Sequence, residues 1–174
     1  MPSVLLTGAT GFVGSHVLKS LLTTTSLEVV FSTHTQSQID WILYKYKTPR
    51  LKGIIVEEIT AEGAFDEAVR GIKYTFHIAS PFHYRFDQAS EILDPAIKGT
   101  LSIIKSAKYH ANNSLEKFVI TSSMAAIMNF AKGAPPSAAA DIYDERTYNQ
   151  ATYEEAMEPG ASKLAIYCAS KVLA

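Results

Sequence analysis

Tyr167 and Lys171 are four residues apart in the run Tyr-Cys-Ala-Ser-Lys. At 3.6 residues per helical turn, that spacing places both side chains on one face, where a phenol and an ammonium can share a pocket. A cation beside a tyrosine favours the phenolate and draws its ionisation down from near 10, toward the range where it trades a proton at neutral pH. At the other end of the chain, Thr7-Gly8-Ala9-Thr10-Gly11-Phe12-Val13-Gly14 presents very few side chains. Gly8 permits a backbone angle that a β-carbon resists, Gly11 lets phosphate oxygens approach the main chain, and Gly14 lets a following helix pack closely on the preceding strand. A helix N-terminus there offers free N–H groups and a positive dipole end to a pyrophosphate. Gly8, Thr10, Gly11, Phe12, Val13 and Gly14 are therefore the expected dinucleotide contacts. The spacing is G-x-x-G-x-x-G rather than the usual G-x-G-x-x-G, and taken alone it also suits a tight βα turn that is merely rich in glycine.

These residues need a scaffold, and the apolar periodicity supplies one. Residues 3–7 read as a strand and 12–22 as a helix, with Val13, Val17, Leu18, Leu21 and Leu22 at helical spacing. Strands follow at 27–33, 53–57, 73–79 and 117–121, separated by helices at 38–46, 64–69 and 91–110. Five strands alternating with helices predict an α/β fold, a Rossmann-like doubly wound parallel sheet of order 3-2-1-4-5. Ligands of such sheets bind beyond the carboxyl ends of the strands. Gly8, Ala79-Ser80-Pro81 and Ser122-Ser123 each follow a predicted strand. Residues 132–160, with Pro135-Pro136 and many polar side chains, read as a long irregular connection, and a last helix begins near Ala161 or Ser162.

A chain of 174 residues with 47% hydrophobic content is long enough for one substantial core, burying roughly 70% of its unfolded surface. Residues 1–174 are read as a single NAD(P)-binding domain. Sixteen basic against seventeen acidic side chains give a net charge of −1, which offers no electrostatic footprint for nucleic acid or an anionic membrane. No apolar run reaches the ~20 residues of a transmembrane helix, and the start lacks the charge of a secretion signal. The single cysteine, Cys168, suits a reducing compartment, so the expected location is cytoplasmic. Cys168 has no adjacent histidine to activate it, and the five histidines show no metal-ligand spacing. No metal is expected.

Taken together, residues 7–14, Ala79-Ser80-Pro81-Phe82, Thr121-Ser122-Ser123 and Tyr167 to Lys171 resemble the extended short-chain dehydrogenases/reductases of the NAD-dependent epimerase/dehydratase superfamily. Within it they most resemble the branch of fungal methylglyoxal and aldehyde reductases and plant dihydroflavonol and cinnamoyl-CoA reductases. The resemblance implies a serine, tyrosine and lysine acting on a carbonyl. These are Ser123 (Ser122 as the lesser alternative), Tyr167 and Lys171. Tyr167 would supply the proton and Ser123 would hold the developing oxyanion. Lys171 would bind the nicotinamide ribose while acidifying the phenol. Ala79, Tyr167 and Lys171 join the glycine turn as cofactor contacts. The implied activity is NADP-dependent reduction of an aldehyde or ketone, with a small-molecule carbonyl as partner. The helices at 91–110 and 162–174 would form a homodimer face.

Cofactor choice turns on the end of the second strand, Phe31-Ser32-Thr33-His34-Thr35. It holds no carboxylate for the ribose hydroxyls of NAD, which favours NADP with His34 at the phosphate and Thr33 and Thr35 as further donors to it. The branch typically has arginine in place of His34, often lysine in place of Gln38, and asparagine in place of Lys98. These are departures at the expected phosphate site and near the catalytic one. Relatives also continue for roughly as long again into a substrate lobe, whereas these residues stop at Ala174 inside a predicted helix. The chain accordingly reads as truncated or as the cofactor half of a longer reductase. Two other readings stand beside the reductase. A nucleotide-sugar epimerase or dehydratase shares the glycine turn and the Tyr/Lys pair, but Ser80-Pro81-Phe82 favours the reductase. A non-catalytic dinucleotide sensor or interaction protein is favoured by the missing lobe and disfavoured by the intact Ser/Tyr/Lys set.

Overall fold

The computed structural model describes residues 2–81, 85–127 and 148–174. Phe82, His83 and Pro135-Pro136 lie outside these residues. Five parallel strands, β1 (Ser3–Leu6), β2 (Glu28–Thr33), β3 (Leu51–Ile55), β4 (Tyr74–His77) and β5 (Lys117–Ile120), form one sheet. Their order is β3-β2-β1-β4-β5, as the sequence predicts. The principal helices are α1 (Phe12–Thr24), α2 (Gln36–Tyr46), α3 (Ser90–His110), α4 (Tyr153–Met157) and α5 (Lys163–Val172), with a short 3-10 helix at Met124–Ala126.

The described residues divide into two compact units. The first is Met1–Ser80 with Gly99–Thr121, and the second is Pro81–Lys98 with Ser122–Ala174. In the first, the central strand β1 is apolar and buried from Val4 to Leu6 because both of its faces are covered. Val4 and Leu6 face Leu18, Leu21, Ile39 and Ile42 from α1 and α2. Leu5 faces the other way, onto Phe65, Val69 and, from α3, Ile103 and Ala107. This alternation makes the sheet doubly wound. In the second unit, Ile92 and Leu93 of α3 pack with Phe86, Ala156, Ile166 and Ala169.

The sequence predicts a helix over 64–69, and here the structure differs. Residues 62–71 form successive turns, with Ala64 N–H donating to Ala61 O at 3.2 Å and Asp66 N–H to Gly63 O at 3.0 Å. Gly63 and Gly71 bound the segment at φ +71° and +68°, so it is too short to propagate the i→i+4 ladder. Of the predicted irregular stretch 132–160, residues 148–160 are among those described, and within them lies the short helix α4. Thr152 and Glu155 cap it reciprocally, each side chain accepting from the other's backbone N–H. The final helix runs from Lys163 to Val172, with Ser162 as its N-cap.

The far end of α1 is closed without a glycine. Thr23, Thr24 and Thr25 each donate a hydroxyl to the carbonyl four residues back. The Arg50 guanidinium reaches in to donate to the carbonyls of Leu22 at 2.7 Å, and of Thr25 and Leu27 at 3.0 Å each. The carbonyl end of the helix dipole thus meets a cation.

Candidate active site and dinucleotide site

The turn between β1 and α1 is built by backbone crowding. Gly8 has φ +72°, and a β-carbon there would lie 2.8 Å from the Ala79 nitrogen. A β-carbon on Gly14 would collide with the Gly8 carbonyl, so its glycine is required by the turn more than by the strand. Gly11 differs from both. Its φ of −76° and ψ of 170° are open to any residue, and a β-carbon would meet only the Gly8 oxygen, at 3.4 Å. The fold therefore does not require glycine at position 11. Thr10, Gly11, Phe12 and Val13 are exposed at the start of α1, with Phe12 83% exposed. A free helix N-terminus with a bare backbone fits a pyrophosphate.

Behind this turn lies an arrangement absent from the sequence expectations. The buried Thr7 hydroxyl accepts from the N–H groups of Ile78 and Ala79, each at 3.1 Å, and lies 2.9 Å from His77 Nδ1. With its lone pairs engaged, the hydroxyl donates to Nδ1, which leaves the hydrogen of the neutral imidazole on Nε2. Burial pushes His77 down to about 4, so it is neutral at physiological pH. Its ring stands edge-on to Phe65, with centroids 6.2 Å apart. Thr7 thus ties the end of β1 to the segment carrying Ala79.

His34 is exposed at the end of β2, its Nδ1 2.9 Å from the Glu57 carbonyl. Gln38 is part of the α2 cap, its Oε1 accepting from the N–H groups of His34 and Thr35 at 3.1 and 3.3 Å. Thr33 and Thr35 were also expected to be available donors. The Thr33 hydroxyl instead donates to the Thr35 carbonyl, while the Thr35 oxygen caps α2 by accepting from Gln38 N–H.

The second unit holds Ser123, Tyr167 and Lys171. Ser123 caps the 3-10 helix, its oxygen accepting from Ala125 N–H at 3.2 Å, so its proton is available to be donated elsewhere. Ser123 is half-buried and Ser122 is exposed. The 3-10 helix packs on α5, which carries Tyr167 and Lys171. Lys171 Nζ is 5.4 Å from the Tyr167 ring centroid and donates to the Pro81 carbonyl at 3.0 Å. Burial holds the Lys171 ammonium below its ordinary range. Cys168 is buried in the same helix. Lys98 lies on α3 and pairs with Asp94 at 2.9 Å, while the Tyr153 hydroxyl donates to the other oxygen of Asp94 at 2.9 Å. The departure at Lys98 is therefore absorbed by an ion pair. Among the described residues, no group of three or more His, Cys, Asp or Glu side chains is placed to hold a metal, and no helix is long and apolar enough to cross a membrane.

A sequence profile of the 3-beta hydroxysteroid dehydrogenase/isomerase family matches residues 5–163. The chain belongs to this family. As a family member it is 38% identical to the ketoreductase azaE of Aspergillus niger over 98% of its length and 49% of the relative's. It is 31% identical to the NADPH-dependent methylglyoxal reductase GRE2 of Saccharomyces cerevisiae, over 99% of its length and 50% of the relative's. The crystal structure of Gre2 from Candida albicans in complex with NADPH superposes with a TM-score of 0.87 at 32% identity, covering 99% of this chain and 50% of that one. This member of the 3-beta hydroxysteroid dehydrogenase/isomerase family therefore spans about half the length of the relatives it matches. The profile match ends before Tyr167 and Lys171, but the pairwise similarity covers nearly the whole chain.

Proposed function

We propose that residues 1–174 are the dinucleotide-binding part of an NADP-dependent oxidoreductase that reduces an aldehyde or ketone to an alcohol. The observation that carries this reading is the grouping in the second unit: Ser123 with a proton to donate, on a short helix packed against the helix of Tyr167 and Lys171. NADP rather than NAD rests on the absence of a carboxylate at the end of β2 and on the NADPH-dependent relatives. When bound, the reduced nicotinamide supplies a hydride to the carbonyl carbon.

The chain's own residues would do the remaining work. Gly8, Thr10, Gly11, Phe12, Val13 and Gly14 would cradle the pyrophosphate at the start of α1, with Ala79 beside them and His34 toward the adenosine. Tyr167 would donate its proton to the carbonyl oxygen as charge gathers there. Ser123 would donate a hydrogen bond to the same oxygen, and Lys171, leaving the Pro81 carbonyl, would bind the ribose hydroxyls. Cytoplasmic location belongs to the same proposal. So does a homodimer through the helices at 91–110 and 162–174, supported by the exposed Leu101 and Ile104 of α3 and Leu164 of α5.

Titration with NADPH and NADH, followed by NADPH oxidation with methylglyoxal and a panel of small ketones, tests the reading. Binding of NADPH together with carbonyl-dependent oxidation is expected. Conversion of a nucleotide sugar with no net cofactor oxidation would replace the reductase with the epimerase reading, and binding without any turnover would favour the sensor.

A further inference from the structure

The tautomer of His34 is set by its neighbour. Glu57 O, 2.9 Å from Nδ1, is a carbonyl and can only accept, so Nδ1 carries a hydrogen in either charge state. Neutral His34 therefore has a lone pair at Nε2 and no hydrogen to offer there. Only the imidazolium has an Nε2–H. Several of the nearby donors already have acceptors. The N–H groups of His34 and Thr35 go to Gln38 Oε1 and the Thr33 hydroxyl goes to the Thr35 carbonyl, while the Thr35 oxygen accepts from Gln38 N–H and shares a hydrogen bond with the Ser37 hydroxyl.

The charged residues just after β3 and in the first half of α2 are acidic. After β3 come Glu57 and Glu58. The Glu58 carboxyl is held below its usual range chiefly by the Thr60 N–H and hydroxyl, with His34 itself contributing. On α2, Asp40 accepts from Gln36. Between Glu28 and Tyr44 the sequence has no lysine or arginine. Among these groups, a phosphate at this strand end would meet a formal positive charge only on a protonated His34.

We propose that the 2′-phosphate of the cofactor is read here by the imidazolium of His34, so that preference for NADP(H) over NAD(H) is set by pH. This rests on the dinucleotide reading given above. An anion held by the imidazolium stabilises the protonated ring, so its ionisation rises on binding and NADPH takes up a proton. The preference is therefore full below the ionisation of the free ring, falls as pH rises from there to that of the complex, and is flat beyond. The second ionisation of a phosphate monoester lies near 6, so between pH 6.5 and 8.5 the ligand is mostly dianionic and the ring dominates the change.

The test is fluorescence titration of the 174-residue protein with NADPH and with NADH at pH 6.5, 7.5 and 8.5. The NADPH/NADH affinity ratio should fall about tenfold over this range through NADPH alone. Calorimetry in buffers of different ionisation enthalpy should show proton uptake with NADPH and none with NADH. H34R should give a high ratio and H34Q a low one, neither changing with pH. Because His34 is exposed, neither change disturbs the core. A wild-type ratio that is flat with pH while both dinucleotides bind would overturn the His34 proposal and leave the cofactor reading standing. Binding of neither dinucleotide at any pH would overturn both.

Discussion

Replacing Gly11 by valine separates folding from binding in a way that replacing its neighbours cannot. The backbone at Gly11 is already in a conformation valine adopts, and its β-carbon would meet only the Gly8 oxygen, at ordinary contact distance. Valine is a poorer N-cap than glycine by about 1 kcal/mol. Loss of glycine's freedom in the unfolded chain returns about 0.4–1 kcal/mol. The variant should thus unfold within a few degrees of the wild type, since 1 kcal/mol moves Tm by about 2–4 °C in a protein of this size. Gly14→Ala, by contrast, drives a β-carbon into the Gly8 carbonyl and should cost about 1–3 kcal/mol or more. The response to cofactor is the other half of the experiment. NADPH at a hundred times its Kd stabilises by about 2.7 kcal/mol, a rise of roughly 5–10 °C in wild-type Tm. Gly11→Val should abolish that rise, because its side chain stands where the main chain must be approached. A well-folded Gly11→Val protein with the full NADPH shift would refute the placement of the pyrophosphate on this turn.

Tyr167→Phe removes only the phenolic oxygen. Wherever carbonyl reduction is measurable it should lower the rate by about 10² to 10⁴ with NADPH affinity nearly unchanged, and retention of most of the rate would move proton donation to another group. His77 should leave a signature in stability against pH. Its folded ionisation, about 4, lies below the ~6.5 of an unfolded histidine, so the unfolded chain binds more protons between those values. Its contribution is complete above about pH 6.5 and declines as pH falls, with about 3 kcal/mol lost by pH 4. Urea unfolding at pH 7 and 4.5 should show this slope in the wild type and not in His77→Asn. Parallel slopes in the two proteins would mean that the histidine is not held neutral.

The sheet was legible because its signals are local. The apolar run of β1, the glycines after it and the helical spacing of α1 lie within 22 residues, and alternation with helices then dictates strand order. Residues 64–69 misled because apolar residues at helical spacing also suit a string of turns packed by Phe65 and Val69. Helix α4 was readable in principle, since Thr152 and Glu155 carry the S/T-x-x-E capping signature, but at five residues it is too short for periodicity to reveal. Thr7 and His77 are 70 positions apart, and no local pattern announces their hydrogen bond. The availability of Thr33 was misjudged for the same kind of reason: residue type offers a donor, but only the geometry shows that its hydroxyl is already given to the Thr35 carbonyl.

Arg50 has a consequence for how the opposite end of α1 receives an anion. A guanidinium making hydrogen bonds to three carbonyls fixes the C-terminal turn, and the Gly11 N–H, donating to the Gly8 carbonyl at 3.0 Å, fixes the entry to the first. Held at both ends, the helix is a stiff strut about 20 Å long whose exposed N–H groups already point outward before any ligand arrives. Ligand binding then has little backbone disorder to remove at this element. Calorimetry should report it as an association dominated by enthalpy, with backbone order parameters at the N-terminal turn as high in the free protein as in the complex.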